Sequence, residues 1–394
     1  MGPPIARPAF EALDEVSVRP CTAGPILNYL MGPDGSFDLR IVLGYLDDVG
    51  DKKEKRRPQT EDGLQETRLA QHLTRKLGFK ETPLAQLQPH QLPVQLHNLL
   101  VSQPDVQPYL RILRRELSTS TIENPKYAYV TLIRSSESSD HYENVYGSAR
   151  ATGTNERGRM TPEQAARSRA ARKVLLAQSP ELKPDAIVYL GHARNGRGLT
   201  NGVVPIPEKP PVGSNEYFSH DYARTVNRTD EFTRALARSP DKPALVFLGA
   251  CSTESHYGPQ VRRACTPFVQ PGSPPPTQPL VVTTSRSTYR SETDGDESLD
   301  AFLSVFDSIM GGADDLNQLE SAAQSCEHRD VDYADAKGRR GVPAFLFRHV
   351  APRTLTQTES TLGNVFGAAH FRRAPEFRPP SEPELPVDER RVPR

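Results

Sequence analysis

The chain has 394 residues, 36% of them hydrophobic, and its 49 basic and 49 acidic residues cancel to a formal net charge of zero. That length provides for two ordinary domains, or for one large α/β domain with an extension. The charge balance excludes a global electrostatic pull towards nucleic acid or an anionic membrane.

Cys21, Cys251, Cys265 and Cys326 show no C-x-x-C or Cys/His spacing, which argues against a zinc site or a disulfide scaffold and points to a reducing, cytoplasmic setting. The amino-terminal MGPPIARPAF has neither the charged start nor the apolar core of a signal peptide. No run approaches the roughly 18 apolar residues of a membrane span, so a soluble protein with no membrane association is expected.

Leu39 to Leu46 reads as a strand, and the charged loop GDKKEKRRPQ follows it. Leu69, Leu73 and Leu77 recur at i+4 before Gly78, and Leu110, Leu113 and Leu117 share a helical face opposite Arg111, Arg114 and Arg115. Residues 1–122 are therefore expected to form a small, mostly helical region with one strand and no visible chemistry; its role stays open, a docking site for a partner protein being one candidate.

From Lys126 the pattern becomes short apolar runs separated by helices, which predicts parallel strands covered on both faces. The expected strands are Tyr127 to Arg134, Ala186 to Leu190, Ala244 to Leu248, Pro279 to Ser285 and Pro343 to Val350. Between the first two lie an expected hairpin in NVYGSARATG and a helix over 161–178, opened by a Thr161/Gln164 capping box with Pro162 in its first turn. Further helices are expected in DEFTRALARS and SLDAFLSVFDSIM. Pro267 to Pro279 reads as an extended linker, and residues 356–394, rich in Pro and charge, as a disordered tail.

Two of these strands end alike. AIVYLGHARNGRG carries Gly191-His192 at its end, and ALVFLGACST carries Gly249-Ala250-Cys251. In an open parallel sheet, ligands meet the protein at the carboxyl ends of strands. If the two strands are neighbours, His192 and Cys251 emerge at one height, and an imidazole there can activate a thiol and later protonate a leaving amine. A lone cysteine or histidine in such a place is more often packing filler. The match in position and in preceding sequence is what carries the catalytic reading.

A strand ending in Gly-His, then a helix, then a strand ending in Ala-Cys resembles the caspase-like cysteine peptidases. VYLGHARNGRG and LVFLGACSTESHYG are most similar to the CHAT and separase branch. The resemblance covers about residues 125–350 and implies an α/β caspase-like sandwich with a mainly parallel central sheet flanked by helices, residues 123–355 forming the peptidase domain. It implies a cysteine endopeptidase acting on protein substrates, with His192 as general base and acid, Cys251 as nucleophile, and the amides of Ala193 and Cys251 as the oxyanion hole. The family normally has Gly directly after the histidine, where this chain has Ala193. The alternative is a catalytically inert caspase-like scaffold or binding module.

By the same resemblance the loop after the next strand, Ser285 to Ser298, builds the pocket for the residue before the scissile bond. Ser285, Arg286 and Ser287 stand nearest the strand end and are the first pocket candidates. Arg286 and Arg290 suit an acidic substrate side chain, while Asp294, Asp296 and Glu297 suit a basic one. Both preferences stay open. The resemblance to metacaspases also offers the acidic cluster as a calcium site, but its D-G-D-E run is not an EF-hand loop; no cofactor is expected, calcium dependence being the lesser alternative. Arg262-Arg263, before the Pro-rich linker, is a candidate self-cleavage site, and Cys265, which follows no strand, is read as incidental.

Overall fold

A computed structural model describes residues 24–45, 61–117, 126–135, 162–191, 193, 199, 229–269, 278–286, 288, 290–291, 295–327 and 343–354. The chain divides into a large unit, residues 1–268 and 275–353, and a small one, residues 269–274 and 354–394, of which only Val269 and Thr354 are described. Everything below concerns the large unit. The expected hairpin at Asn144 to Gly153, most of the Pro-rich linker and the tail from 356 lie outside the described residues.

In chain order the large unit carries α1 (Pro25–Leu30), β1 (Phe37–Gly44), α2 (Glu61–Gln71), β2 (Lys80–Glu81), α3 (Val94–Ser102), β3 (Arg111–Glu116) and β4 (Tyr127–Arg134). Then come α4 (Pro162–Leu176), β5 (Ala186–Gly191), α5 (Thr229–Arg238), β6 (Leu245–Gly249), α6 (Thr253–His256) and α7 (Gly258–Ala264). After a two-residue strand β7 (Phe268–Val269), of which only Phe268 belongs to the large unit, follow β8 (Leu280–Thr284), β9 (Arg290–Ser291), β10 (Gly295–Asp296), α8 (Glu297–Met310), α9 (Leu316–Gln324) and β11 (Phe345–His349).

Eight strands form one mixed sheet in the order β11-β8-β6-β5-β1-β4-β3-β2. The run β8-β6-β5-β1-β4 is parallel, and β11, β3 and β2 join antiparallel at the two edges. Helices cover both faces, as the buried, near-continuous apolar strands require. One face packs Leu39, Ile41, Val188 and Phe247 against Leu69 and Leu73 of the α2 region and Leu299, Phe302 and Phe306 of α8. The other packs Val42, Ile187, Tyr189 and Val246 against Leu96 of α3, Val174 of α4, Phe232 of α5 and Val261 of α7. The protein is thus an α/β sandwich.

The amino-terminal region departs from expectation. Beside its helices it supplies three of the eight strands, where one was expected, and β1 lies within the sheet, bonded to β4 on one side and β5 on the other. All eight residues of β1 are buried. The helix expected across Leu110 to Leu117 is strand β3, which pairs with β4 from Arg111↔Leu132 to Glu116↔Tyr127. Tertiary pairing overrides the leucine spacing because Leu113 enters one core and Ile112 the other, which removes the alternation that marks a strand. Around Gly78 the sequence reading holds: Gly78 adopts φ +69, and Phe79 N–H donates to the Leu73 carbonyl at 3.0 Å.

Candidate functional site

Strands β5 and β6 are adjacent and parallel, with Leu190 opposite Gly249. Their carboxyl ends therefore reach the same height on the same edge. Two glycines permit this packing. A Cβ at Gly191 would lie 2.5 Å from the backbone of Gly44 on β1, and one at Gly249 would lie 2.6 Å from Leu190 Cδ2 and 3.2 Å from Ser298 Cβ. Both are far inside normal contact.

Cys251 follows β6 after Ala250 and is half-buried. Its Sγ lies 3.7 Å from Thr288 Oγ1. The next residue, Ser252, is the sole non-glycine among the described residues with positive φ (φ 53, ψ 33). A left-handed conformation costs a non-glycine residue about 1–2 kcal/mol. It persists here because Ser252 N–H donates to the Arg286 carbonyl at 2.8 Å. The preceding carbonyls are held as well: Thr253 Oγ1 donates to Leu248 at 3.0 Å, and Thr284 Oγ1 donates to Ala250. The thiol thus sits on a turn whose backbone groups are closely tied.

His192 lies outside the described residues, but both of its chain neighbours are placed. Gly191 ends β5, and Ala193 is buried, with its carbonyl accepting 2.6 Å from Tyr257 Oη. Tyr257, itself 2% exposed, stands between α6 and α7, just after Cys251 in the chain. A hydrogen bond therefore joins the segment after β5 to the segment after β6.

The expected pocket residues are arranged differently from the sequence reading. Ser285 is buried, with Oγ donating to the Pro343 carbonyl at 2.6 Å. Arg286 is 5% exposed, and its guanidinium makes a bidentate pair with Glu297 (Nη2 to Oε1 2.6 Å, Nη1 to Oε2 3.0 Å). It is turned inward, to a carboxylate of this same chain; an acidic substrate side chain was one of the two partners left open for this loop. Glu297 and Asp296, the expected acidic alternatives, are also buried; Asp296 caps α8 by accepting from Leu299 N at 2.8 Å. Ser287 and Asp294 lie outside the described residues. Among the described residues, no group of three or more His, Cys, Asp or Glu side chains could hold a metal ion, and no helix is long and apolar enough to cross a membrane.

The remaining candidates separate clearly. Cys265 is fully buried, and burial pushes its thiol up to about 12, so it is not a nucleophile at neutral pH. Cys326 packs against α8, with Sγ 2.9 Å from Ser304 Oγ. Arg262 and Arg263 are on helix α7, and Arg262 forms a bidentate pair with Glu254 at 2.6 and 2.9 Å. A helical, paired dipeptide is poorly suited to the self-cleavage expected there, since cleavage needs chain that can extend into a peptidase cleft. A cavity of about 340 Å³ lined by Glu81, Thr82, Leu84, Leu110 and Arg111 lies at the β2–β3 edge, four strands from β6.

Sequence reasoning gave Thr288 and Tyr257 no role, although Tyr257 lies within LVFLGACSTESHYG, and it read Glu297 only as a pocket carboxylate; only the fold brings the three to the turn. No family model, no curated protein and no solved structure matches the chain.

Proposed function

We propose that the chain is a caspase-like cysteine endopeptidase, similar in its motifs to the CHAT and separase branch. The observation that carries this reading is the parallel register of β5 and β6, Leu190 opposite Gly249, which sets the segments leading to His192 and Cys251 side by side. In the reaction, the His192 imidazole takes the Cys251 thiol proton, and the thiolate adds to a peptide carbonyl. The amides of Ala193 and Cys251 receive the developing oxyanion. His192 then passes the proton to the leaving amine, and a water, deprotonated by His192, hydrolyses the thioester and restores the thiol. The half-buried Cys251 suits this role better than the fully buried Cys265. A protein substrate and a cytoplasmic setting belong to the same reading.

One observation favours the alternative, an inert scaffold. Ser285 and Arg286 both have their polar groups engaged within the chain, so of the expected pocket residues the two whose side chains are described are turned to the protein itself. The discriminating experiment is hydrolysis of a peptide library by wild type, His192→Ala and Cys251→Ala. Cleavage lost in both variants is expected. No cleavage by wild type, with and without calcium, would transfer the assignment to the scaffold.

A further inference from the structure

We infer that Glu297 is a positioning residue for Cys251, acting through Arg286. The inference rests on the reading of Cys251 as the reactive thiol and goes beyond it, since neither residue enters the dyad or the oxyanion hole.

The start of α8 holds the Cys251 turn from both sides. On one side, Ser298 packs so closely on Gly249 that a Cβ there would lie 3.2 Å from its own. On the other, Glu297 fixes the Arg286 guanidinium with two hydrogen bonds, and the Arg286 carbonyl accepts the Ser252 N–H at 2.8 Å. Gly249 precedes Cys251 by two residues and Ser252 follows it directly. The position of α8 therefore determines the path of the backbone through the thiol-bearing residue.

Physical chemistry explains why these groups can act as an anchor. Both side chains are buried, the carboxylate fully, so the pair is bidentate and shielded from water. Glu297 is the first residue of α8, where the helix dipole favours a negative charge. The helix behind it is set in the core by Leu299, Phe302 and Phe306. Ser252, by contrast, is in a conformation that a serine adopts only under constraint. A rigid helix at one end and a strained residue at the other are what a positioning device requires. The segment carrying Arg286 also brings Thr288 Oγ1 to 3.7 Å from Cys251 Sγ, so its release would uncover the thiol as well as loosen the turn.

The test uses the full-length protein and iodoacetamide as the probe, with the rate of Cys251 labelling taken relative to Cys326 in the same molecules. Glu297→Gln is expected to raise that ratio about tenfold while Cys265 stays unlabelled, and to lower kcat about tenfold with KM little changed, because one charge-assisted contact is lost. Glu297→Asp, which keeps the charge, should fall between the two. Removing one partner of a buried pair can unfold a protein, so the double change Arg286→Met with Glu297→Leu is the second variant; it removes both charges of the pair together and should fold. It should show the same rise in the labelling ratio. An unchanged ratio in folded variants overturns the inference, and so does a rise shared by Cys265, which would mean general loosening. Peptide cleavage with an unchanged ratio removes this coupling alone. A changed ratio in a protein that cleaves nothing keeps the coupling and removes the peptidase reading.

Discussion

Thr253 and Thr284 bond each other in both directions: Thr284 N–H donates to Thr253 Oγ1 at 2.8 Å, and Thr253 N–H donates to Thr284 Oγ1 at 3.0 Å. This reciprocal pair joins the first residue of α6 to the last of β8, two residues beyond Cys251. Each hydroxyl still has its own proton to donate, and these go to the Leu248 and Ala250 carbonyls. All the groups involved are buried, so the hydroxyls replace water for the backbone where the sheet ends.

Replacing Thr284 with Val keeps the shape and the β-branch but leaves the Thr253 N–H and the Ala250 carbonyl without this partner. A buried unsatisfied group costs about 1–3 kcal/mol. Thr284→Val should lower the urea midpoint without changing the m-value, since the surface exposed on unfolding is unchanged. A midpoint equal to wild type would show that the pair is energetically neutral.

The two strand-end glycines should not be equally replaceable. At Gly191 a methyl group would meet the main chain of Gly44, which β1 holds in the middle of the sheet. At Gly249 the nearest obstacle is the tip of the Leu190 side chain, which can shift, although Phe247 at 3.1 Å and Ser298 at 3.2 Å also crowd it. Overpacking of this kind costs about 1–3 kcal/mol. Gly191→Ala is expected at or above the upper end and Gly249→Ala towards the lower. Thermal unfolding of the two single variants checks the order.

Strands β4, β5, β6 and β8 were legible in the sequence to within about a residue of their observed ends, because long apolar runs on both faces leave little choice of conformation. The adjacency of β5 and β6 could be conjectured only from the likeness of GHARNG and GACST. Other features had no local signal. Strand β3 hides its nature by burying Ile112 and Leu113 on opposite faces. The central place of β1 follows from strand order, which a linear chain does not print. Arg286 read as a pocket cation because its partner, Glu297, is eleven residues away in a stretch that looks like a solvated acidic loop. Burial of both residues is what reverses that reading.

At the opposite end of β5, Asp185 should make stability depend on pH. Burial, reinforced by the negative charges of Asp38 and Asp34, pushes its carboxyl up to about 7, against an opposing hydrogen bond from Asp38 N–H at 2.8 Å and the Lys183 charge. Because the folded value lies above the ordinary value of 3.8, the folded chain holds a proton that the unfolded chain releases. The stability this group contributes is complete below about pH 4 and is lost as pH rises through about 7. The loss is on the order of 2–4 kcal/mol, less where water reaches the carboxyl. Asp185→Asn keeps an acceptor for Asp38 N–H and abolishes the titration. It should be more stable than wild type above pH 7, with the difference shrinking towards pH 4. Urea titrations at pH 5 and pH 8 decide the matter, and an equal gap at both would refute the assignment.

Tyr257 offers the most direct way to separate the segment after β5 from the segment after β6. Its hydroxyl is buried, and the Ala193 carbonyl that accepts from it belongs to the residue directly after His192 in the chain. Phenylalanine fits the same space and removes only the donor. The carbonyl left behind has no route to water, so a loss of about 1–3 kcal/mol is expected in thermal or urea unfolding. On the peptidase reading the variant should lose kcat by more than this loss of stability explains, because the general base sits on the segment released. The comparison that matters is therefore kcat measured well below the unfolding midpoint of Tyr257→Phe, where nearly all molecules are folded. Full kcat there would make the hydrogen bond a support of the fold only. A drop, with KM held, would make it a link between the two strand ends that the chemistry needs.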